Sequence, residues 1–196
     1  MRLKSPSHCL AAALMALAGG DASALGQDLN HAVGAVAGIA GSIYGHELGH
    51  ALAFQLLGAT DVSIQVPGDQ CRLLCGATHA RLSRPLTADE RRWTSAAGLL
   101  SANLLGEALL DRRSLGRSGF GQGYVAANLY SNLFHVYHYY TRRVGVDGYE
   151  GNDLDQFEAA GGNPHLLAAG LLGYSLYSVK RLHDRKIPLL FVHLRF

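Results

Sequence analysis

Two histidines four residues apart with a glutamate beside the first, in His46-Glu47-Leu48-Gly49-His50, are the residues of this chain whose types and spacing could do chemistry. On a helix, positions i and i+4 share a face, so both imidazoles can offer a nitrogen to one divalent cation, and Zn²⁺ suits such nitrogen ligands. Glu47, about 100° further round the helix axis, is then placed to act on a water rather than to bind the ion. The chemistry this implies is metal-assisted hydrolysis, with His46 and His50 as metal ligands and Glu47 as general base. Glu47 is also the only acid or base other than histidine between Asp28 and Asp61. An ionisable group in so apolar a stretch is costly unless a partner stabilises it.

A catalytic zinc usually takes three protein ligands and leaves one position open, so the chain must supply another. A metzincin-like continuation would need Gly at position 53 and His at position 56, where this chain has Ala53 and Leu56. Three acids remain. His50 lies roughly 12 Å of helix before the end of its apolar stretch, so the site faces the segment that follows, and residues 151–157 return to that side if the intervening helices alternate in direction. There, Asp153 follows Gly151-Asn152 and precedes Leu154 and Phe157, whose i, i+3 spacing predicts a helix start, a place that favours Asp. Asp153 is the expected third metal ligand. Asp155, about 200° away on the same helix, and Glu107, in Glu107-Ala108-Leu109-Leu110-Asp111, are its rivals.

The elements that must position these groups follow from composition. Of 196 residues, 48% are hydrophobic, only 16% are charged and 24 are Gly, against about a quarter charged in an ordinary soluble domain. Four nearly uncharged stretches succeed one another at 29–60, 93–110, 118–141 and 159–179, each near the roughly 20 residues that span a bilayer. The fold expected is an all-α, multi-pass membrane helical bundle of about four helices, with a small β-hairpin after the first. Helices buried in a soluble bundle are the alternative. In the first helix, Gly34 and Gly38, then Gly41, Gly45 and Gly49, give a smooth strip for close helix approach. After Gly58, the residues Val62, Ile64 and Val66 alternate with polar ones before Pro67-Gly68-Asp69, which predicts a strand, a turn and a second strand over 71–80. A strand edge beside such a site can pair with an extended substrate, or be a plain surface hairpin.

Residues 1–24, with Arg2 and Lys4 before an apolar run and Ala22-Ser23-Ala24 after it, predict a secretory signal peptide or an N-terminal membrane anchor. The remaining 25–196 form one domain. Cys71 and Cys75 can pair only if their loop faces an oxidising compartment. Membrane orientation is left open by the Lys and Arg distribution. A net charge of +2 without a basic run excludes nucleic acid as a partner. The expected partners are membrane lipid and a membrane-associated protein or peptide substrate, and the expected location is a membrane, the bacterial inner membrane. His135 and His138 are assigned to packing, and Asn103 either steadies an oxyanion or bonds another helix.

This arrangement resembles the site-2 protease (M50) family of intramembrane zinc metalloproteases. The resemblance rests on residues 45–53, Gly-His-Glu-Leu-Gly-His-Ala-Leu-Ala, on the following β-rich stretch, on Ala96-Ala97-Gly98-Leu99-Leu100-Ser101-Ala102-Asn103 in place of an A-G-P-x-x-N helix, and on Asn152-Asp153 or Leu154-Asp155 near the place of an L-D-G segment. Leu99 stands where the family has Pro, and the full N-x-x-P-x-x-x-L-D-G string is missing. The resemblance implies a minimal, divergent zinc endopeptidase that hydrolyses peptide bonds in or beside a bilayer. The alternative is a catalytically inactive scaffold or binding protein of the same type that retains its metal site, for which retention of Glu47 has no purpose. Metal transport would need more ligands along several helices than the chain has.

Overall fold

The computed structural model describes residues 22–66, 76–146 and 149–188, with backbone alone for 22–28. Among them the order is α1 (Ala22–Leu56), β1 (Thr60–Gln65), β2 (Ala77–Arg81), α2 (Ala88–Asp111), α3 (Arg113–Arg117), α4 (Gly119–Thr141), α5 (Asp153–Ala159) and α6 (Pro164–Asp184). The expected N-terminal segment lies outside the described residues save for Ala22, Ser23 and Ala24, as do Cys71, Cys75 and the turn at Pro67-Gly68-Asp69.

Local chemistry sets the boundaries. α1 stops at Gly58, whose φ of 81° suits a residue without Cβ, while the Ala59 amide donates back to the Phe54 carbonyl at 3.0 Å. Thr87 caps α2 in a reciprocal pair with Glu90, and Asn152 caps α5 in the same way with Asp155. Ser118 caps α4, and Asn163 followed by Pro164 opens α6. The two strands pair antiparallel, Ser63 opposite His79 and Ile64 opposite Thr78, with one extra residue on β1 between Thr60 and Ser63. Asp61 absorbs that bulge at a φ of 53°.

Packing is organised by the glycine strip of α1. A methyl group placed on Gly38 would strike the Phe120 carbonyl of α4, and one on Gly49 would strike the Ala97 carbonyl of α2. α1 therefore lies backbone to backbone against α4 along one part of its length and against α2 at the other, which is how two neighbours reach the histidines. One buried cluster, Leu99, Val136, Leu154, Ala168 and Leu171, sits under the histidine end, and another, Leu110, Val125, Leu129, Leu182 and Ile187, lies elsewhere along α2, α4 and α6. Leu154 is fully buried, a contribution of about 2–3 kcal/mol from removing its side chain from water.

The fold expectation is corrected in its main feature. Among the described residues no helix is long and apolar enough to cross a membrane. The four uncharged stretches do become the four long helices, but lack of charge is not the same as being apolar. α4 carries Gln122, Asn128, Ser131, Asn132, His135 and His138, and α2 carries Thr94, Ser95, Ser101 and Asn103, each of which is expensive to take into hydrocarbon. Large apolar side chains such as Leu104, Leu133 and Leu176 lie on outer surfaces, which is why the stretches read as apolar all round. The bundle of membrane spans, the multi-pass placement in a bacterial inner membrane and the lipid contact that rested on them have no support in the fold. What holds is a mostly helical chain, six helices and a two-stranded sheet among the described residues.

Candidate metal centre

α1 places His46 and His50 one turn apart, with their Nε2 atoms 3.1 Å from each other. His50 is oriented by its other nitrogen, 2.7 Å from the Thr94 carbonyl of α2. A carbonyl only accepts, so His50 Nδ1 carries the proton and Nε2 keeps its lone pair for a cation. Gly98 of α2 makes the approach possible: a methyl group there would press on the His50 imidazole and stand 2.8 Å from His46 Nε2.

Asp153 arrives from the first turn of α5. The Asn152 cap and the buried Leu154 hold that turn in place, and the Asn152 side-chain Nδ2 also donates to the His135 carbonyl of α4 at 2.9 Å. The carboxylate reaches His46 Nε2 at 3.0 Å through Oδ2 and His50 Nε2 at 3.5 Å through Oδ1. The donor atoms of His46, His50 and Asp153 all lie within 4.8 Å of one another. A tetrahedral ion with bonds of 2.0–2.1 Å would hold its donors about 3.4 Å apart, so the set could hold a metal ion.

The rivals for the third position are accounted for elsewhere. Asp155 Oδ2 accepts from the Asn152 amide at 2.8 Å and from the Tyr149 hydroxyl at 2.7 Å, which makes it the partner of the cap. Glu107 is paired with Arg181 of α6, which also holds Asp111. Asn103 does not present a free carboxamide, since its oxygen accepts from Asn128 at 2.8 Å and Asn132 at 2.9 Å.

Glu47 is 7% exposed and faces the hairpin. The Thr78 hydroxyl of β2 lies 2.8 Å from Glu47 Oε2 and 3.0 Å from the Glu47 carbonyl, so its one proton goes to either. Gly76 lies so close that a methyl group on it would stand 2.9 Å from Glu47 Oε1. The sequence reading missed Thr78 and Gly76, for which no local pattern exists. It also favoured a packing role for His135 over a polar one, yet His135 Nε2 is 3.4 Å from Asp153 Oδ2, and its ring stacks on His46 with centroids 5.5 Å apart. His138 stacks on Phe134 at 3.8 Å, in keeping with a packing role.

The charged groups of the cluster shift one another. Burial works against the Asp153 anion, but the charges of His46 and His50 and the close approach of the His135 and His46 imidazoles hold its carboxyl well below the usual range. Burial likewise lowers His50, and is outweighed by the charge and hydrogen bond of Asp153, the charge of Glu47 and the Thr94 carbonyl, which together raise it to about 9. His135 is raised on the same balance, burial opposed by Asp153. Without a metal, protons supply the positive charge that the carboxylates demand. No family model matches this chain, and comparison with curated proteins and with solved structures finds nothing similar to it.

Proposed function

We propose that this chain is a zinc-dependent hydrolase of peptide bonds, with His46, His50 and Asp153 as the metal ligands and Glu47 as the general base. The observation that carries the reading is the meeting of two histidines from one helix with a buried Asp from a distant one, beside a buried Glu that is not part of the donor group. When bound, zinc would polarise the scissile carbonyl and make a water acidic enough to yield its proton. Glu47 takes that proton as the water oxygen bonds to the carbonyl carbon, and returns it to the amine as the carbon–nitrogen bond breaks. Thr78 holds the Glu47 carboxylate during both transfers. The choice of a peptide bond rests on the resemblance of residues 45–53 to the site-2 protease family.

Glu47→Gln tests the assignment in the zinc-loaded chain with β-casein as probe. Cleavage should fall by about 10²–10⁴-fold while bound zinc is retained. Zinc loss equal to that of His46→Ala would show Glu47 to be a ligand instead. A second reading, a metal-holding binding protein without catalysis, is favoured by one observation, the cover that Gly76 and Thr78 place over Glu47. It predicts stoichiometric zinc with no cleavage by the unaltered chain.

A further inference from the structure

We infer that His135 is a further nitrogen donor to the metal held by His46, His50 and Asp153, so that this chain offers three imidazoles and one carboxylate; the inference rests on the metal site proposed above.

Counting protons leads there. His135 Nδ1 lies 2.7 Å from the Ser131 carbonyl one turn earlier on α4, and a carbonyl only accepts, so the ring proton is on Nδ1. The Ser131 hydroxyl, at 3.4 Å, is the poorer neighbour and does not reverse that assignment. Nε2 of the neutral ring is therefore a bare lone pair, and it faces Asp153 Oδ2, itself an acceptor, at 3.4 Å. That oxygen is buried and has no conventional hydrogen bond. His50 is in the same state, its proton spent on Thr94. Among the three neutral rings only His46 has a proton free to give, against two carboxylate oxygens and two bare nitrogens. One proton cannot satisfy four acceptors; a shared cation can, and so can added protons, the competing account that X-ray absorption separates.

The distances agree. The separation of His135 Nε2 from Asp153 Oδ2 matches the spacing of about 3.4 Å for two donors on one tetrahedral ion, and the close approaches among His46, His50 and Asp153 are 3.0, 3.1 and 3.5 Å. The contact is also built into the fold, because the Asn152 side chain that caps α5 donates to the His135 carbonyl and ties α4 to the turn that carries Asp153. Zinc accepts a fifth ligand, so a water can still enter beside four protein donors. The competing account is a protonated His135 that pairs with Asp153 and never touches the metal.

X-ray absorption on the full chain loaded with one equivalent of Zn²⁺ separates the two by counting imidazoles from their outer-atom scattering. Three imidazoles are expected in the unaltered chain and two in His135→Phe, with zinc affinity lowered about 10–100-fold, as for loss of a supporting group or a weak ligand. Two imidazoles in the unaltered chain would overturn the inference and leave the proposed site of His46, His50 and Asp153 standing. Failure of the unaltered chain to hold zinc would overturn both. If His135→Phe does not fold, the count in the unaltered chain decides alone, and Co²⁺ loading gives an independent reading through its visible absorption.

Discussion

Two polar clusters buried among the described residues both involve α2 or α4, yet they are built on opposite terms. In the first, Asn103, Asn128, Asn132 and Ser175 meet donor to acceptor: Asn103 Oδ1 takes two amide protons, and Asn132 also reaches Ser175 at 3.4 Å. Only the Asn128 oxygen is left over. In the second, the neutral rings of His50 and His135 meet the Asp153 carboxylate acceptor to acceptor, because their protons are spent on the carbonyls of Thr94 and Ser131. Burial is comparable, with Asn103 and Asp153 each 8% exposed. The difference is therefore one of donor balance. A cluster that satisfies itself stabilises a helix contact, while one short of positive charge could hold a cation.

Substitutions on either side should break that comparison in opposite ways. The largest effect is expected from Asp153→Ala, which should abolish stoichiometric zinc binding in equilibrium dialysis, whereas Asp155→Ala should weaken the α5 cap and leave zinc in place. Zinc retained by Asp153→Ala and lost by Asp155→Ala would exchange their roles. Asn103→Ala is expected to act on stability alone, by about 1–3 kcal/mol from the buried amides left without an acceptor, read as a lower urea midpoint with zinc stoichiometry intact.

The clusters should also differ in their response to pH. With zinc removed, His50 is raised from 6.5 to about 9, so its contribution to stability is complete below pH 6.5 and is lost as pH rises through 9. Asp153 is lowered from 3.8, so its contribution is present above that value and lost in stronger acid. The metal-free chain should therefore melt highest between about pH 4 and 6.5, while zinc affinity should rise with pH up to about 9 as the proton on His50 ceases to compete. Thermal melts with and without chelator check both slopes, and parallel profiles would argue against a shared site. The smallest effect is expected from Thr78→Val, about 1 kcal/mol from one lost hydrogen bond. Thr78→Ser should restore it if the hydroxyl rather than the methyl group holds Glu47.

Much of the centre was legible before any fold was known. The i, i+4 spacing of His46 and His50 settles their shared face because helix geometry is local, and Asn152 before Asp153 signals a helix start for the same reason. Choosing Asp153 over Asp155 was also within reach, since a cap of the Asn152 type takes its third following residue as partner and turns it away. The nature of the helices was not legible in the same way. Absence of charge was read as affinity for lipid, although Asn, Ser, Gln and His were present in the same stretches, and their tolerance depends on whether each finds a partner across a helix contact.

From the chain alone, then, come the two histidines on one face, the neighbouring Glu47, the acid at a helix start, the hairpin and the glycine strip, all of which depend on backbone geometry within a few residues. Only the tertiary structure decided that Gly98 would admit the imidazoles, that Thr78 and Gly76 would cover Glu47, that Glu107 would be spent on Arg181, and that His135 would join Asp153. Each of those is a meeting of residues far apart in sequence, governed by how closely two helix backbones approach, and no spacing along the chain encodes that distance.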